Sequence, residues 1–159
     1  LVGTHINTEY SFLDALFRTP KWKRIEAEKT KRAIQILKSI GLEYRMHDYA
    51  KNLPYGEQRK LEIARAIATG AKLLLLDEPA AGMNNSESED LLNFIRTLKN
   101  KGYTVLLIEH DMSVVMNISD RIYVIDYGKQ IAEGLPKDVA TNPRVVEAYL
   151  GGVANNAVS

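Results

Sequence analysis

Leu73, Leu74, Leu75 and Leu76 run without a break into Asp77, Glu78 and Pro79. A short run this apolar is predicted to be a strand buried on both faces, which is how the strands of a parallel sheet read. Its carboxyl end is the edge where α/β sheets gather function, and two adjacent carboxylates stand there. Just upstream, Leu53-Pro54-Tyr55-Gly56-Glu57-Gln58 is a glycine-bearing loop that opens onto a helix. Such a helix start offers free amides to an anion, so loop and strand together have the layout of a site handling phosphate and a metal ion. No stretch of the 159 residues has the form G-x-x-x-x-G-K-[ST], the loop that cradles a nucleotide's phosphates. The chain therefore reads as one part of a nucleotide-driven machine.

The rest of the chain fits an α/β layer with a parallel sheet. Over residues 24–40, Ala33, Ile34, Leu37 and Ile40 recur at helical steps, and Gly41 is placed to end the helix. A second helix is predicted over 57–69, with Leu61, Ala64 and Ala68 on one side and Gly70 as its stop. Ser86-Glu87-Ser88-Glu89 reads as a capping box for a helix whose Leu91, Leu92, Ile95 and Leu98 face a core before Gly102. Residues 104–108 form a further buried strand leading into Glu109-His110, and Asp111 can cap a short helix over 112–118. A third strand is predicted over 121–125, with Tyr127-Gly128-Lys129 turning into 130–132. Two short helices are expected over 136–150, and 151–159 is expected to fray.

Lys+Arg total 21 against Asp+Glu 20, so no global field draws the chain to nucleic acid or anionic lipid. The chain has no cysteine, which removes disulfide and thiolate chemistry. Its longest aliphatic run falls far short of the ~20 residues that span a bilayer, and no signal peptide is visible. Residue 1 is Leu, without a cap or charged leader, and the start reads as a cut in a longer chain. Lys21-Trp22-Lys23-Arg24 could touch lipid or a membrane subunit, but a solvated helix start beside Pro20 is the preferred reading. His5 and His47 have no partner pattern, while Tyr44 and Tyr49 read as packing or rim residues. An acidic pair at Asp77-Glu78 and a histidine at His110 are each weak signals alone.

Taken together and in order, these residues resemble the ATP-binding cassettes of ABC transporters. Leu53-Pro54-Tyr55-Gly56-Glu57-Gln58 looks like the signature loop, Asp77 ends the metal-binding strand, and Glu78 looks like the catalytic carboxylate that follows it. Ala80-Ala81-Gly82-Met83-Asn84 looks like the D-loop and His110 like the switch histidine. The wording of the loop, of Ala80–Asn84 and of Val146-Glu147-Ala148-Tyr149-Leu150-Gly151 is most similar to the ATPase subunits of branched-chain amino acid importers. The resemblance runs from residue 1 to 152, the cassette from just after its Q-loop onward.

The resemblance implies the later part of a P-loop NTPase (RecA-like) sheet core joined to a helical subdomain. Residues 1–70 would be that helical part, 71–135 the α/β core and 136–159 the terminal helices and tail. It implies ATP as substrate and Mg²⁺ as cofactor, with Asp77 holding the metal through water and Glu78 orienting or deprotonating the attacking water. His110 would sense the γ-phosphate. Leu53, Pro54, Tyr55, Gly56, Glu57 and Gln58 would act on ATP held by a second cassette subunit, with Ala81, Gly82, Met83 and Asn84 coupling the two sites. The implied partners are that second subunit, alike or different, membrane permease subunits and, indirectly, an extracytoplasmic substrate-binding protein, with no nucleic acid. The implied place is the cytoplasmic face of the cell membrane.

Pro54 stands where most cassettes carry a serine, and it has neither hydroxyl nor N–H to offer. Asn84 stands where many have aspartate, and Asn85 where this branch commonly has proline. A lipopolysaccharide-export cassette is one alternative, and a non-catalytic fragment acting in dimerisation or regulation is another. Without a phosphate loop, this chain alone is expected to be inactive.

Overall fold

Thr19 and Pro20 set the start of the first long helix. The structure, a computed structural model, describes residues 11, 14 and 16–150. His5 and the expected fraying over 151–159 lie outside the described residues. The chain divides into two compact units, the boundary along the sequence falling between Leu107 and Ile108.

In the first unit, α1 spans Pro20–Ser39. It begins four residues before the predicted start because Thr19 accepts a bond from the Trp22 amide at 3.3 Å and proline suits a helix's first position. Its lysines and arginine at 21, 23 and 24 are exposed, as a solvated helix start requires. Gly41 closes it at φ +72°: the Gly41 amide bonds the Lys38 carbonyl and the Leu42 amide the Leu37 carbonyl, the paired bonds of a Schellman ending. Ile40 and Leu42 are buried, but Ile34 is exposed and leaves the predicted core stripe. Short 3₁₀ turns at Glu43–Arg45 and Ala50–Asn52 carry the chain to Leu53, which is buried.

Helix α2 spans Tyr55–Ala68 and buries Ile63, Ala64 and Ile67. Strand β1 is Leu73–Asp77. Helix α3, Asn85–Asn100, buries Leu91, Leu92, Phe94, Ile95 and Leu98. Its capping box is formed by Asn84 and Glu87, not by Ser86 and Glu89: Asn84 Oδ1 accepts from the Glu87 amide at 3.0 Å, and Glu87 Oε2 accepts from the Asn84 amide at 3.2 Å. Asparagine caps as well as serine and stands three residues before a glutamate. Gly102, at φ +83°, ends the helix as expected.

Strand β2, Thr104–Ile108, pairs with β1. The Thr104 amide bonds the Lys72 carbonyl at 2.9 Å, which sets the two strand starts side by side, and the intervening helix is the crossover a parallel pair needs. Both strands were expected to be buried on both faces, and this is corrected. Leu74 is 2 % exposed, but Leu73 and Leu75 are 52 % and 69 % exposed, and Leu106 and Ile108 50 % and 56 %. The helices cover one face of the pair, and the aliphatic side chains of the other face meet solvent.

In the second unit, α4 spans Met112–Ile118, capped by Asp111. Strand β3, Ile122–Asp126, runs antiparallel to β4, Lys129–Gly134, with Asp126 opposite Lys129, Ile122 opposite Gly134 and an irregularity between Val124 and Ile125. Tyr127 and Gly128 join them at φ +43° and +74°, the positive pair that a tight hairpin turn demands. Helices α5, Pro136–Ala140, and α6, Pro143–Val145, follow as predicted, and a π turn covers Val146–Leu150. Ile122, Val124, Ala132, Val139 and Val145 make the core here, with Met112, Val115, Met116 and Ile131 packed on it. No helix among the described residues is long and apolar enough to cross a membrane.

Candidate functional site

The start of α2 is left open. Thr19, Asn84 and Asp111 each cap a helix with a side chain, whereas Pro54 precedes α2 and makes no side-chain cap. The first bond within the helix runs from the Gln58 amide to the Pro54 carbonyl at 3.0 Å, so the Tyr55, Gly56 and Glu57 amides have no acceptor within the helix. Three donors and the positive end of a fourteen-residue helix make a seat for an anion. The loop before them is pinned by buried Leu53, whose carbonyl accepts from Gln58 Nε2 at 2.8 Å.

The Glu57 carboxylate is gripped on both oxygens. Tyr44 Oη donates to Oε1 at 2.8 Å and Arg45 Nε to Oε2 at 3.2 Å. Arg45 also pairs with Asp48 through Nη1 at 3.2 Å, and its guanidinium lies 5.0 Å from the Tyr44 ring centre. The bond to Asp48 first, and Tyr44 after it, raise the Arg45 pKa. Neither residue belonged to the predicted site, since the contact joins positions twelve and thirteen residues apart, which no local pattern marks.

Tyr55 is held in the same way. Arg59 Nη2 donates to Tyr55 Oη at 2.8 Å, Nη1 to Glu62 at 2.9 Å, and the guanidinium lies 5.2 Å from the Tyr55 ring centre. Glu62 first, then Tyr55, raise the Arg59 pKa. A Cβ placed on Gly82 would meet the Tyr55 ring at 4.0 Å, and one on Gly56 would meet Glu87 Cβ at 3.7 Å. The signature and D-loop candidates are thus neighbours within this unit.

Asp77 is exposed at the end of β1, and Pro79 is buried. A hollow of about 220 Å³ lies between α2 and this strand end, lined by Arg59, Ile63, Leu75, Asp77 and Pro79 among others. Glu78 is half-buried, and its backbone has φ +41°, a left-handed conformation costly for a residue with a Cβ. The chain turns back there: the Ala81 amide bonds the Glu78 carbonyl and the Met83 amide the Ala80 carbonyl, both at 3.1 Å. Gly82 takes φ +77°, and Ala81, Gly82 and Asn84 are exposed. Among the described residues no cluster of three histidine or acidic side chains could hold a metal ion alone. A lone exposed carboxylate at Asp77 suits Mg²⁺, which keeps most of its waters and takes one or two protein carboxylates beside substrate phosphates.

His110 belongs to the second unit and is exposed just before the cap of α4. Asp111 Oδ1 accepts from the Ser113 hydroxyl at 2.7 Å and from the Ser113 amide at 2.8 Å. Those bonds, the hydroxyl's first, lower the Asp111 pKa, with His110 adding a small Coulombic share.

The profile of the ABC transporter family matches residues 3–81, and that of branched-chain amino acid ATP-binding cassette transporters matches residues 129–155. A high-affinity branched-chain amino acid transport ATP-binding protein of Salmonella typhimurium is 45% identical over 152 residues, 95% of this chain and 60% of that protein. Its counterpart in Pseudomonas aeruginosa gives the same identity and coverage. A probable branched-chain amino acid transport ATP-binding protein of Archaeoglobus fulgidus is 40% identical over 131 residues, 82% of this chain and 51% of that protein. The crystal structure of the ADP conformation of an ATP-binding cassette of an ABC transporter superposes with a TM-score of 0.76 at 36% identity, over 95% of this chain and 61% of that one. A nucleotide-free cassette gives 0.74 at 36% identity, over 92% of this chain and 59% of that one. The chain spans about 60% of the length of these bacterial relatives.

Proposed function

This chain belongs to the ABC transporter family, and we propose that it is part of an ATP-hydrolysing subunit that powers import of branched-chain or related amino acids. The observation that carries the reading is the identity to branched-chain amino acid transport ATP-binding proteins, which extends over 95% of the chain. The family match at residues 129–155 favours this cargo over the lipopolysaccharide-export alternative.

On this reading the open amides at the start of α2 receive the γ-phosphate of an ATP held by a second cassette subunit. Gly56 lets that phosphate approach the backbone, and Pro54 contributes its fixed φ rather than a hydrogen bond. Asp77 would hold Mg²⁺ through its waters, and the bound metal would supply charge neutralisation on the phosphates. Glu78 accepts a proton from the attacking water or fixes its orientation. His110 is assigned to sensing the γ-phosphate. Ala81, Gly82, Met83 and Asn84 form the D-loop, with the Tyr55 ring 4.0 Å from where a Cβ on its glycine would stand. Residues 1–70 serve as the helical part, 71–135 as the α/β core and 136–159 as the tail. The partners are the second subunit, alike or different, permease subunits in the membrane and, through them, a substrate-binding protein, with the cassette on the inner, cytoplasmic face. ATP binding also needs a phosphate loop, so this segment alone is inactive.

The test is steady-state ATPase and uptake of labelled leucine by reconstituted full-length transporter carrying this segment. Glu78→Gln is expected to keep ATP binding while lowering hydrolysis at least about a hundredfold and abolishing uptake. Turnover within about tenfold of the parent would remove Glu78 from the role of base.

A further inference from the structure

Glu57 poses an electrostatic problem for the reading above. A carboxylate in a helix's first turn ordinarily complements the helix dipole. Here the same helix start is proposed to receive a phosphate, and two negative charges at one helix end oppose each other. The side chain does not point freely into the loop, because the 3₁₀ turn Glu43–Arg45 holds both its oxygens, Tyr44 at 2.8 Å and Arg45 at 3.2 Å. Arg45 meets Asp48 with a different nitrogen, Nη1, so its Nε stays committed to Glu57.

We propose that Tyr44 and Arg45 are positioning residues of the signature loop, which draw back and neutralise the Glu57 carboxylate so that the α2 amides can accept an anion. This rests on the assignment of that loop to ATP. A purely structural staple between the turn and α2 would use the same contacts, so the test must separate charge from folding. Glu57→Gln does so: it removes the charge that Arg45 offsets and leaves an amide that can still hydrogen-bond.

The experiment is ATPase activity against ATP concentration in the full-length protein, comparing Arg45→Ala in the parent and in the Glu57→Gln background. In the parent background KM for ATP is expected to rise about fivefold with kcat within about twofold, the pattern of lost binding rather than lost chemistry. In the Glu57→Gln background the same change is expected to raise KM less than about twofold. Arg45→Lys, which keeps the charge, should recover part of the loss in the parent. An equal effect in both backgrounds would make Arg45 a folding staple and overturn the proposal, and so would no effect in either. Gly56→Asp, within the loop, is run alongside. If it hydrolyses ATP at the parent rate, the assignment of the loop to ATP fails and takes this inference with it; if it is inactive while Arg45→Ala behaves alike in both backgrounds, the inference alone fails.

Discussion

At the scale of single residues, backbone conformation and distant neighbours set the surroundings of each candidate group. Asp77 and Glu78 stand out in sequence because two carboxylates follow four leucines. Nothing in the sequence marks that Glu78 sits at φ +41°, a conformation imposed by the turn that follows it. Tyr44 illustrates the converse: it reads as a packing or rim residue, and it holds the Glu57 carboxylate. Asp111 was readable as a cap, and the structure adds a consequence. Its hydrogen bonds to Ser113 lower its pKa below the ordinary 3.8, so its contribution to stability is fully present above about that pH and is lost as pH falls through the lower, folded value. Protection of the Ser113 and Val114 amides from exchange, relative to the intrinsic rate at each pH, is expected to fall below about pH 4 in the parent and to show no such step in Asp111→Asn. An identical acid step in both would show that Asp111 does not carry it.

At the scale of elements, helices were located well because caps and stops are local. Gly41 and Gly102 end α1 and α3 with the paired bonds their positive φ allows. The start of α3 was misplaced because Asn84-x-x-Glu87 and Ser86-x-x-Glu89 are both capping patterns, and only the backbone decides between them. The strands were found, but their burial was not, since a run of leucines states what could be covered and not what covers it. The one-sided burial of β1 makes a direct prediction for this chain. Leu74→Ala, on the covered face, is expected to cost about 2–5 kcal/mol in urea unfolding. Leu75→Thr, on the open face, should cost less than about 0.5 kcal/mol. Similar costs at both positions would mean that the open face is covered in solution.

At the scale of the whole molecule, the family was legible because several motifs of different chemistry fall in one order, and the similarity over 95% of the chain agrees. The proposed working unit is larger than one chain, since Asp77 and Glu78 would serve one nucleotide and the open start of α2 another. The geometry within the chain is compatible with this, as the Tyr55 ring lies 4.0 Å from where a Cβ on Gly82 would stand, which places the loop proposed to act across the dimer near the proposed D-loop. The most direct test of the account is the ATPase rate of mixed dimers of the full-length protein carrying Glu78→Gln and Gly56→Asp. With the two changes on opposite chains, one composite site is damaged twice and the other is intact, so hydrolysis should persist. With both changes on one chain and a parent partner, each site is damaged once and hydrolysis should fall to the level of the Glu78→Gln homodimer. The reverse order, activity with both changes on one chain and none with them apart, would contradict the assignment of the loop and the carboxylates to different sites.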